Sequence, residues 1–196
     1  MPQGSREGIL RGMYKLKASP EAAAESKKDS KSKLRAQLFG SGAILNEVVK
    51  AQEILQKYGV AADVWSVTSY GELYRDGHAC DRWNMLHPGE PPRIPYVTQC
   101  LKDAPGVLVA ASDYLKVLPD AIDRWAPRRL RALGTDGFGR SEDRASLREF
   151  FQVDARFIAV ATLSELLNDG KIEAALVARA IKDLGLDPDK KNPAKS

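Results

Sequence analysis

A glycine-rich loop over residues 134–140 is the first place where residue types and spacing suggest a binding or catalytic function. It reads GTDGFGR and follows a short apolar segment at 130–133. Loops after the strands of a parallel sheet commonly bind ligands, and closely spaced glycines indicate backbone angles that other residues avoid. We expect Arg140 to pair with Asp136 and hold the loop rigid, or to reach a neighbouring domain or subunit. The candidate contact residues are Asp136, Gly137, Phe138, Gly139 and Arg140.

Asp136 and Gly137 also match part of the pattern that binds a metal ion beside thiamine diphosphate, Gly-Asp-Gly followed by paired asparagines. In this chain position 135 is a threonine, and the asparagine farther along, Asn168, is single and lies in a helical pattern. A metal ion held by oxygen atoms needs several ligands at once. We therefore interpret the loop as structural and contact-forming, and we expect it to hold no metal ion.

Both histidines lie in a segment rich in aromatic and polar residues, RDGHACDRWNMLHP at 75–88. His78 and Cys80 are separated by one residue, which does not match the ligand spacing of zinc sites. A histidine acting as general base needs a partner, so a hydrogen-bonded structural role is the favoured interpretation. Because the segment shows no clear period, we interpret it as an interface. Its candidate residues are His78, Trp83, Asn84 and His87.

A second pair of glycines, Gly40 and Gly42, stands between a predicted strand and a predicted helix. A dinucleotide-binding loop would have a third glycine where this chain has Leu45, and an acidic residue about 20 positions farther on. The favoured interpretation is a tight strand-to-helix turn, with a backbone anion site at the helix N-terminus left open. The residues alone predict no complete catalytic site, since G-x-S-x-G, P-loop and H-E-x-x-H motifs are absent.

Short apolar runs alternate with helical patterns, which predicts an α/β fold with a mainly parallel sheet covered on both faces. Strands are predicted at 34–39, 60–67, 106–111 and 130–133, with an edge strand at 12–16. Helices are predicted at 43–58, which ends before Gly59, and at 113–125. Ser141 and Asp154 are the predicted N-caps of two further helices, and a last helix ends at Gly185. The helix after Asp154 is expected to carry Phe157, Val160, Ala161, Ser164 and Leu167 on one face.

Charge and composition exclude several classes of function. The chain has 196 residues and a formal net charge of +4. The excess of positive charge lies at the two ends: residues 1–35 hold nine basic and four acidic groups, and residues 187–196 hold three basic and two acidic groups. The remainder is therefore slightly acidic, which disfavours nucleic-acid binding. No apolar run is long enough for a membrane helix, and the first residues do not resemble a secretory signal. Two cysteines make no disulfide framework, and a cytoplasmic location is expected.

The domain organisation is expected to be simple. Residues 1–10 are an N-terminal lead, and residues 11–186 are one domain. Within it, residues 19–33 form a polar, Lys- and Ser-rich stretch that is expected to be a flexible loop. Residues 187–196 have the same character and are expected to be a disordered tail.

Several long stretches carry a resemblance to a known family. They are EGILRGMYKL, DVWSVTSYGELYRDGHACDRWNMLHP, PRIPYVTQCL and ALGTDGFGRSEDRASLREFFQVDA. They resemble, in order, the C-terminal part of the homodimeric bacterial pyruvate dehydrogenase first components, and the resemblance covers residues 7–193. It implies a transketolase C-terminal-like domain: a three-layer α/β/α sandwich with a five-stranded mixed sheet whose first strand is antiparallel to the others. The stretch at 19–33 is longer than the family pattern.

The resemblance also implies a function for the parent enzyme. Members decarboxylate pyruvate on thiamine diphosphate and Mg²⁺ and then reductively acetylate lipoyl groups of an acetyltransferase core, their partner in the pyruvate dehydrogenase complex. The cofactor of these homodimers lies between the two preceding domains. The resemblance therefore implies a C-terminal domain or fragment that makes dimer and domain contacts. It is expected to be either a fragment that begins at an internal methionine or an excised domain. On its own it is expected to bind no cofactor. We carry over no catalytic residue. The alternative is a self-contained binding module for a small anion or a protein partner.

Overall fold

One five-stranded sheet with helices on both faces makes up the part of the chain that the structure, a computed structural model, describes: residues 4–19 and 34–195. The strands are β1 (Met13–Lys17), β2 (Leu34–Gly40), β3 (Val60–Val67), β4 (Val107–Ala111) and β5 (Leu130–Leu133). The α-helices are α1 (Arg6–Arg11), α2 (Leu45–Lys57), α3 (Tyr70–Leu86), α4 (Tyr96–Leu101), α5 (Val117–Asp120), α6 (Arg144–Phe150), α7 (Ala155–Asn168) and α8 (Ala174–Asp183). Short 3₁₀ turns span Gly42–Ile44, Asp123–Trp125 and Pro193–Lys195.

The strands lie in the order β1-β3-β2-β4-β5. β1 pairs antiparallel with β3, and the other neighbours are parallel. Every residue of β3 and of β4 is buried, as expected for parallel strands that are covered on both faces. The predicted fold class is confirmed, including the antiparallel first strand at the edge.

Side chains on the two faces of the sheet form two separate apolar cores. One core packs α2, α7 and α8 against the sheet, and the other packs α3, α4 and the segment around Trp125. The first core includes Leu38, Val48, Leu55, Val64, Val109, Ile158 and Leu163. The second includes Met13, Phe39, Trp65, Leu73, Leu101, Leu108 and Ile122. These two cores produce the three layers that the resemblance implies.

The predicted strands and the first long helix agree with the structure to within a few residues. The apolar face of α2 is buried at the predicted positions Val48, Ala51 and Leu55. Gly59 follows the helix with a φ of 75°, the left-handed conformation expected at a helix C-terminus. The periodicity of apolar residues was sufficient to predict this helix and its buried face, because α2 is buried on one face only.

The prediction of one helix over 113–125 is wrong. The structure has only the short α5 and a 3₁₀ turn in this region. Backbone groups that a helix would use are instead bonded to the loop after β5. The carbonyl of Tyr114 accepts from the N–H of Thr135 at 2.9 Å, and the N–H of Lys116 donates to Asp136 at 3.0 Å.

Two details of the C-terminal helices also differ from prediction. Asp143, not Ser141, caps α6, because its carboxylate accepts the N–H groups of Ala145 and Ser146. Asp154 caps α7 as predicted. The face of α7 chosen from the sequence is only partly buried, however, and the buried face carries Ile158, Ala159, Thr162, Leu163 and Leu166. α7 is apolar on most sides because it contacts α2, α8 and β4, so periodicity does not identify its innermost face.

The segment 75–88, interpreted as lacking a period, lies in α3 up to Leu86, and His87 caps the helix. Ser69 caps this helix by accepting the N–H of Glu72 at 3.1 Å. Its buried positions are Tyr70, Leu73, Gly77 and Cys80, which follow the helical spacing that the polar residues between them obscured.

The structure bears differently on the expected N-terminal lead, flexible loop and C-terminal tail. Part of the lead is helix α1, which continues into the domain. Of the expected flexible loop, only Ser19 lies within the described residues; it is buried, and its N–H donates to Asp63 at 2.9 Å. In the tail expected to be disordered, Pro193 is buried and Lys190 donates to the carbonyl of Glu149 at 2.8 Å, whereas most of the other residues at 187–195 are exposed. In the described ranges no helix is long and apolar enough to cross a membrane.

Candidate functional site

The carboxyl ends of β2, β4 and β5 form the candidate site. β2 and β4 are neighbours, but the chain leaves them towards opposite edges of the sheet and over opposite faces. Such a position is where open α/β sheets leave a crevice for ligands. The residues that follow these strands are Ala43, Asp113 and Thr135, and all three line one cavity of about 330 Å³.

The loops after β4 and β5 are joined by hydrogen bonds. The N–H of Thr135 donates to the carbonyl of Tyr114, and its hydroxyl donates to the carbonyl of Asp113 at 2.8 Å. A Cβ on Gly134 would lie 2.5 Å from the carbonyl oxygen of Tyr114. The two loops therefore approach each other too closely for any side chain at position 134.

The expected ion pair between Asp136 and Arg140 is wrong. The carboxylate of Asp136 accepts the backbone N–H of Lys116 at 3.0 Å and lies 3.4 Å from its ammonium group. The guanidinium of Arg140 instead lies over the ring of Phe150, 5.2 Å from its centroid. Asp136 thus fixes the loop to the neighbouring strand connection and leaves Arg140 at the cavity wall.

The expected unusual backbone angles occur at one of the two later glycines. Gly137 has a φ of 104°, and a Cβ there would lie 2.6 Å from the carbonyl oxygen of Pro193. Gly139 has no such angle, and a Cβ there would meet no atom within 4 Å. Between them Phe138 is 84% exposed. The loop is therefore packed against Pro193 at Gly137, whereas Phe138 and Gly139 are exposed to solvent.

The far wall of the cavity is held by a buried ion pair. Glu47 of α2 accepts from Arg148 of α6 at 3.0 Å, from Lys50 at 2.9 Å and from the N–H of Ala155 at 3.2 Å. Burial alone would raise the pKa of Glu47, but the bonds from Lys50 and Ala155 and the charge of Arg148 outweigh it and lower that pKa. This carboxylate therefore stays ionised and holds α6 against α2.

The histidine-containing helix α3 forms two aromatic clusters. The ring of His87 stacks on Trp83 at 4.4 Å, its Nδ1–H donates to the carbonyl of Trp83 at 2.8 Å, and Arg93 covers the same indole at 4.2 Å. The side-chain amide of Asn84 accepts from the N–H of Arg93 at 2.7 Å and donates to its carbonyl at 2.9 Å. Trp83, Asn84 and His87 thus brace the end of their own helix.

The second cluster contains His78. Its ring packs edge-on against Tyr74 at 4.3 Å and Trp125 at 5.0 Å. The indole N–H of Trp125 donates to Asp81 at 3.1 Å. Both histidines have packing partners, and neither is among the residues that line the cavity. An interface role for this segment stays a prediction.

The described residues do not fit a thiamine diphosphate–metal site. The carboxylate of Asp136 is taken by Lys116, and the amide of Asn168 lies near Glu165, 3.5 Å away on α7. Within residues 4–19 and 34–195, no group of three His, Cys, Asp or Glu side chains is placed to hold a metal ion. Cys80 and Cys100 are free thiols whose pKa values burial raises.

Sequence reasoning missed most of the cavity wall. Arg144 and Arg148 have the i, i+4 spacing that places two side chains on one helix face, so their proximity was readable once α6 was located. Nothing local indicates Glu47, which lies 101 residues before Arg148. The loop after β4 was missed because a helix was predicted there.

A family model described as "Transketolase-like TK C-terminal domain" matches residues 12–154. The sequence is 50% identical over 195 residues to the pyruvate dehydrogenase E1 component of Escherichia coli, covering 98% of this chain and 21% of that protein. The corresponding protein of Pseudomonas aeruginosa is 46% identical over 195 residues, with the same coverage. This chain thus spans about a fifth of the length of the curated relatives that it matches.

Solved structures are similar in fold. A transketolase from Pichia stipitis matches with a TM-score of 0.53 and 14% identity, covering 86% of this chain and 21% of that one. A transketolase from Campylobacter jejuni matches with a TM-score of 0.51 and 17% identity, covering 80% and 19%.

Proposed function

The chain belongs to the transketolase-like C-terminal domain family, and on that premise we propose that it serves as the C-terminal domain of a thiamine-diphosphate-dependent pyruvate dehydrogenase subunit. Its role is to contact the rest of that subunit and a second copy of it, while the chemistry takes place elsewhere. The high identity to pyruvate dehydrogenase E1 components over 98% of the chain supports this assignment.

The observation that carries the contact role is the set of exposed apolar side chains beside the cavity. Single exposed apolar residues are ordinary, but a group on adjacent loops is typical of an interaction surface. We call the following group the apolar edge: Tyr114, Leu115, Val117, Leu118 and Phe138, each between 41% and 84% exposed. Phe138 lies in the loop after β5, and the other four residues lie after β4, in the loop and the first residues of α5. Hydrogen bonds of Thr135 and Asp136 join these two segments and hold the backbone of the apolar edge in place.

The described residues favour contact over catalysis. Asp136, the carboxylate best placed by the sequence for metal binding, is engaged by Lys116. The histidines pack against aromatic rings and lie outside the cavity lining. In this proposal thiamine diphosphate and Mg²⁺ are bound by the preceding domains of the homodimer. The lipoyl acetyltransferase core is the partner of the whole enzyme, and the location is cytoplasmic, which the two free thiols support.

Co-expression with a polypeptide that supplies the preceding domains tests the proposal. We expect the two pieces to co-purify and to regain pyruvate-dependent activity. Replacing Phe138 and Leu115 together by serine should reduce co-purification, whereas Leu10→Ser, at an equally exposed position on α1, is the matched control. Single-turnover decarboxylation by the complex that still forms should be unchanged. Loss of that step with assembly intact would place the apolar edge in the active site and refute the contact role.

Calorimetry of the chain alone is the second test. The proposal expects no saturable binding of thiamine diphosphate with Mg²⁺ at micromolar concentrations. One-to-one binding would show that this domain itself holds the cofactor.

A further inference from the structure

The cavity at the carboxyl ends of β2, β4 and β5 has features that a contact domain does not need. Its floor is apolar and is formed by Ala43, Ile44, Leu147, Phe151 and Val153. Its volume of about 330 Å³ is at the lower end of the range for small-molecule sites. The cavity therefore accommodates a small ligand with an apolar part.

Three arginines also line this cavity: Arg140 of the loop, and Arg144 and Arg148 of α6. They differ in whether a carboxylate neutralises their charge. Arg148 is neutralised by Glu47 at 3.0 Å. Among the described residues neither Arg140 nor Arg144 makes an ion pair; Arg140 lies over the ring of Phe150, and Arg144 is in the first turn of α6. Two guanidinium groups are thus available at the rim.

The negative groups at the cavity do not cancel these charges. Asp113 is the carboxylate on the cavity wall, and it lies beside Gly42, 3.3 Å from where a Cβ of that glycine would be. Asp136 is held by Lys116. Among the residues that line the cavity, the charged groups without a partner are therefore net positive. Guanidinium groups bind carboxylates through paired, charge-assisted hydrogen bonds.

We propose that this cavity binds a small monocarboxylate with a short apolar group. The carboxylate is held by Arg140 and Arg144, and the apolar group lies over Ile44, Phe151 and Val153. None of the five residues of the apolar edge lines the cavity, so binding by the chain alone can be tested independently of the contact role. A carboxylate from a protein side chain would use the same arginines, and the test separates it from a free ligand.

The test uses the full 196-residue chain with 4-methylpentanoate as the probe and its uncharged amide, 4-methylpentanamide, as the matched compound. We expect saturable binding of the acid in an NMR titration, with shifts confined to residues around Phe151 and Val153, and no saturation with the amide. Arg144→Gln and Arg140→Gln should each weaken binding about tenfold. Arg179→Gln, an exposed arginine on α8, should bind as the unaltered chain does. Unchanged melting temperatures verify that the variants fold.

Three results would overturn the proposal. Equal binding of acid and amide would show that the charge of the carboxylate contributes nothing to binding. Equal weakening by Arg179→Gln would show a general charge effect. Binding to the isolated chain that disappears in complex with the preceding domains would show that the assembled protein itself closes or fills the cavity and leaves no site for a free ligand.

Discussion

Arg148 donates a 3.0 Å hydrogen bond to Glu47, and this bond joins α6 to α2 across 101 residues of sequence. The two side chains are 21% and 8% exposed. The same carboxylate accepts the first N–H of α7 from Ala155. One buried group therefore fixes three helices around the cavity.

Removing that charge should destabilise the fold. Glu47→Gln leaves Arg148 without its ionic partner in a largely buried place, and we expect a loss of about 3 kcal/mol in the free energy of unfolding. Urea unfolding measures it. Glu53→Gln, an exposed position on the same helix, should change stability by less than about 0.5 kcal/mol. Equal losses of stability in the two variants would mean that the ion pair between Glu47 and Arg148 contributes nothing to the stability of the fold.

The stability should depend on pH through Asp63. Burial would raise the pKa of this carboxyl, but hydrogen bonds from Lys15 and the N–H of Ser19 and the charges of Lys15 and Arg35 lower it below 3.8. A carboxyl with a lowered folded pKa stabilises the fold above its unfolded pKa, and this contribution is lost as the pH falls through the folded value. As the pH falls from about 5 through this lowered folded pKa, the unaltered chain should therefore lose more stability than Asp63→Asn.

Thermal unfolding across that range measures the difference. Asp103→Asn, at an exposed carboxylate, removes one charge elsewhere and is the control. Parallel curves for the unaltered chain and Asp63→Asn would contradict the assignment.

The loop after β5 should tolerate a methyl group at one glycine and not at the other. Gly137→Ala places a Cβ 2.6 Å from the carbonyl of Pro193 at a positive φ, and we expect a cost of about 1–3 kcal/mol. Gly139→Ala meets open space and should be close to neutral. Urea unfolding of both variants is the measurement, and a neutral Gly137→Ala would show that residues 187–195 do not pack as described.

A similar comparison tests the packing of α3. A Cβ on Gly77 would lie 2.5 Å from the ring of Trp125, whereas a Cβ on Gly71 would lie 3.7 Å from the flexible end of Arg75. Alanine normally stabilises a helix relative to glycine by about 1 kcal/mol. Gly77→Ala should instead lower stability by about 1–3 kcal/mol and alter tryptophan fluorescence. Gly71→Ala should do neither, and identical behaviour of the two variants would contradict the contact.

The sequence was informative where one local signal determined the structure. Val60–Val67 contains three valines and Trp65 and is buried along its whole length, and Asp154 is a good helix cap directly before an apolar segment. Both were predicted because their neighbours in sequence decide them.

Errors arose where a distant partner decided the structure. Asp136 has an arginine four residues away, yet it pairs with Lys116, which a hydrogen-bonded neighbouring loop brings closer. The helix predicted from residue 113 fails for the same reason, because its backbone bonds to the loop after β5. The cavity rim depends on α6 being held by Glu47, so it was not predictable from a local pattern.

The strand order has a consequence for how the chain reaches this fold. β2 is the middle strand, yet both strands that pair with it come later in the chain, β3 after α2 and β4 after α3 and α4. β1 also pairs with β3, so it gives β2 no early protection. Folding must close long loops before the sheet gains its pairings, which slows it. Until then the future centre of the sheet is an unpaired edge, and intermolecular association during refolding should begin there.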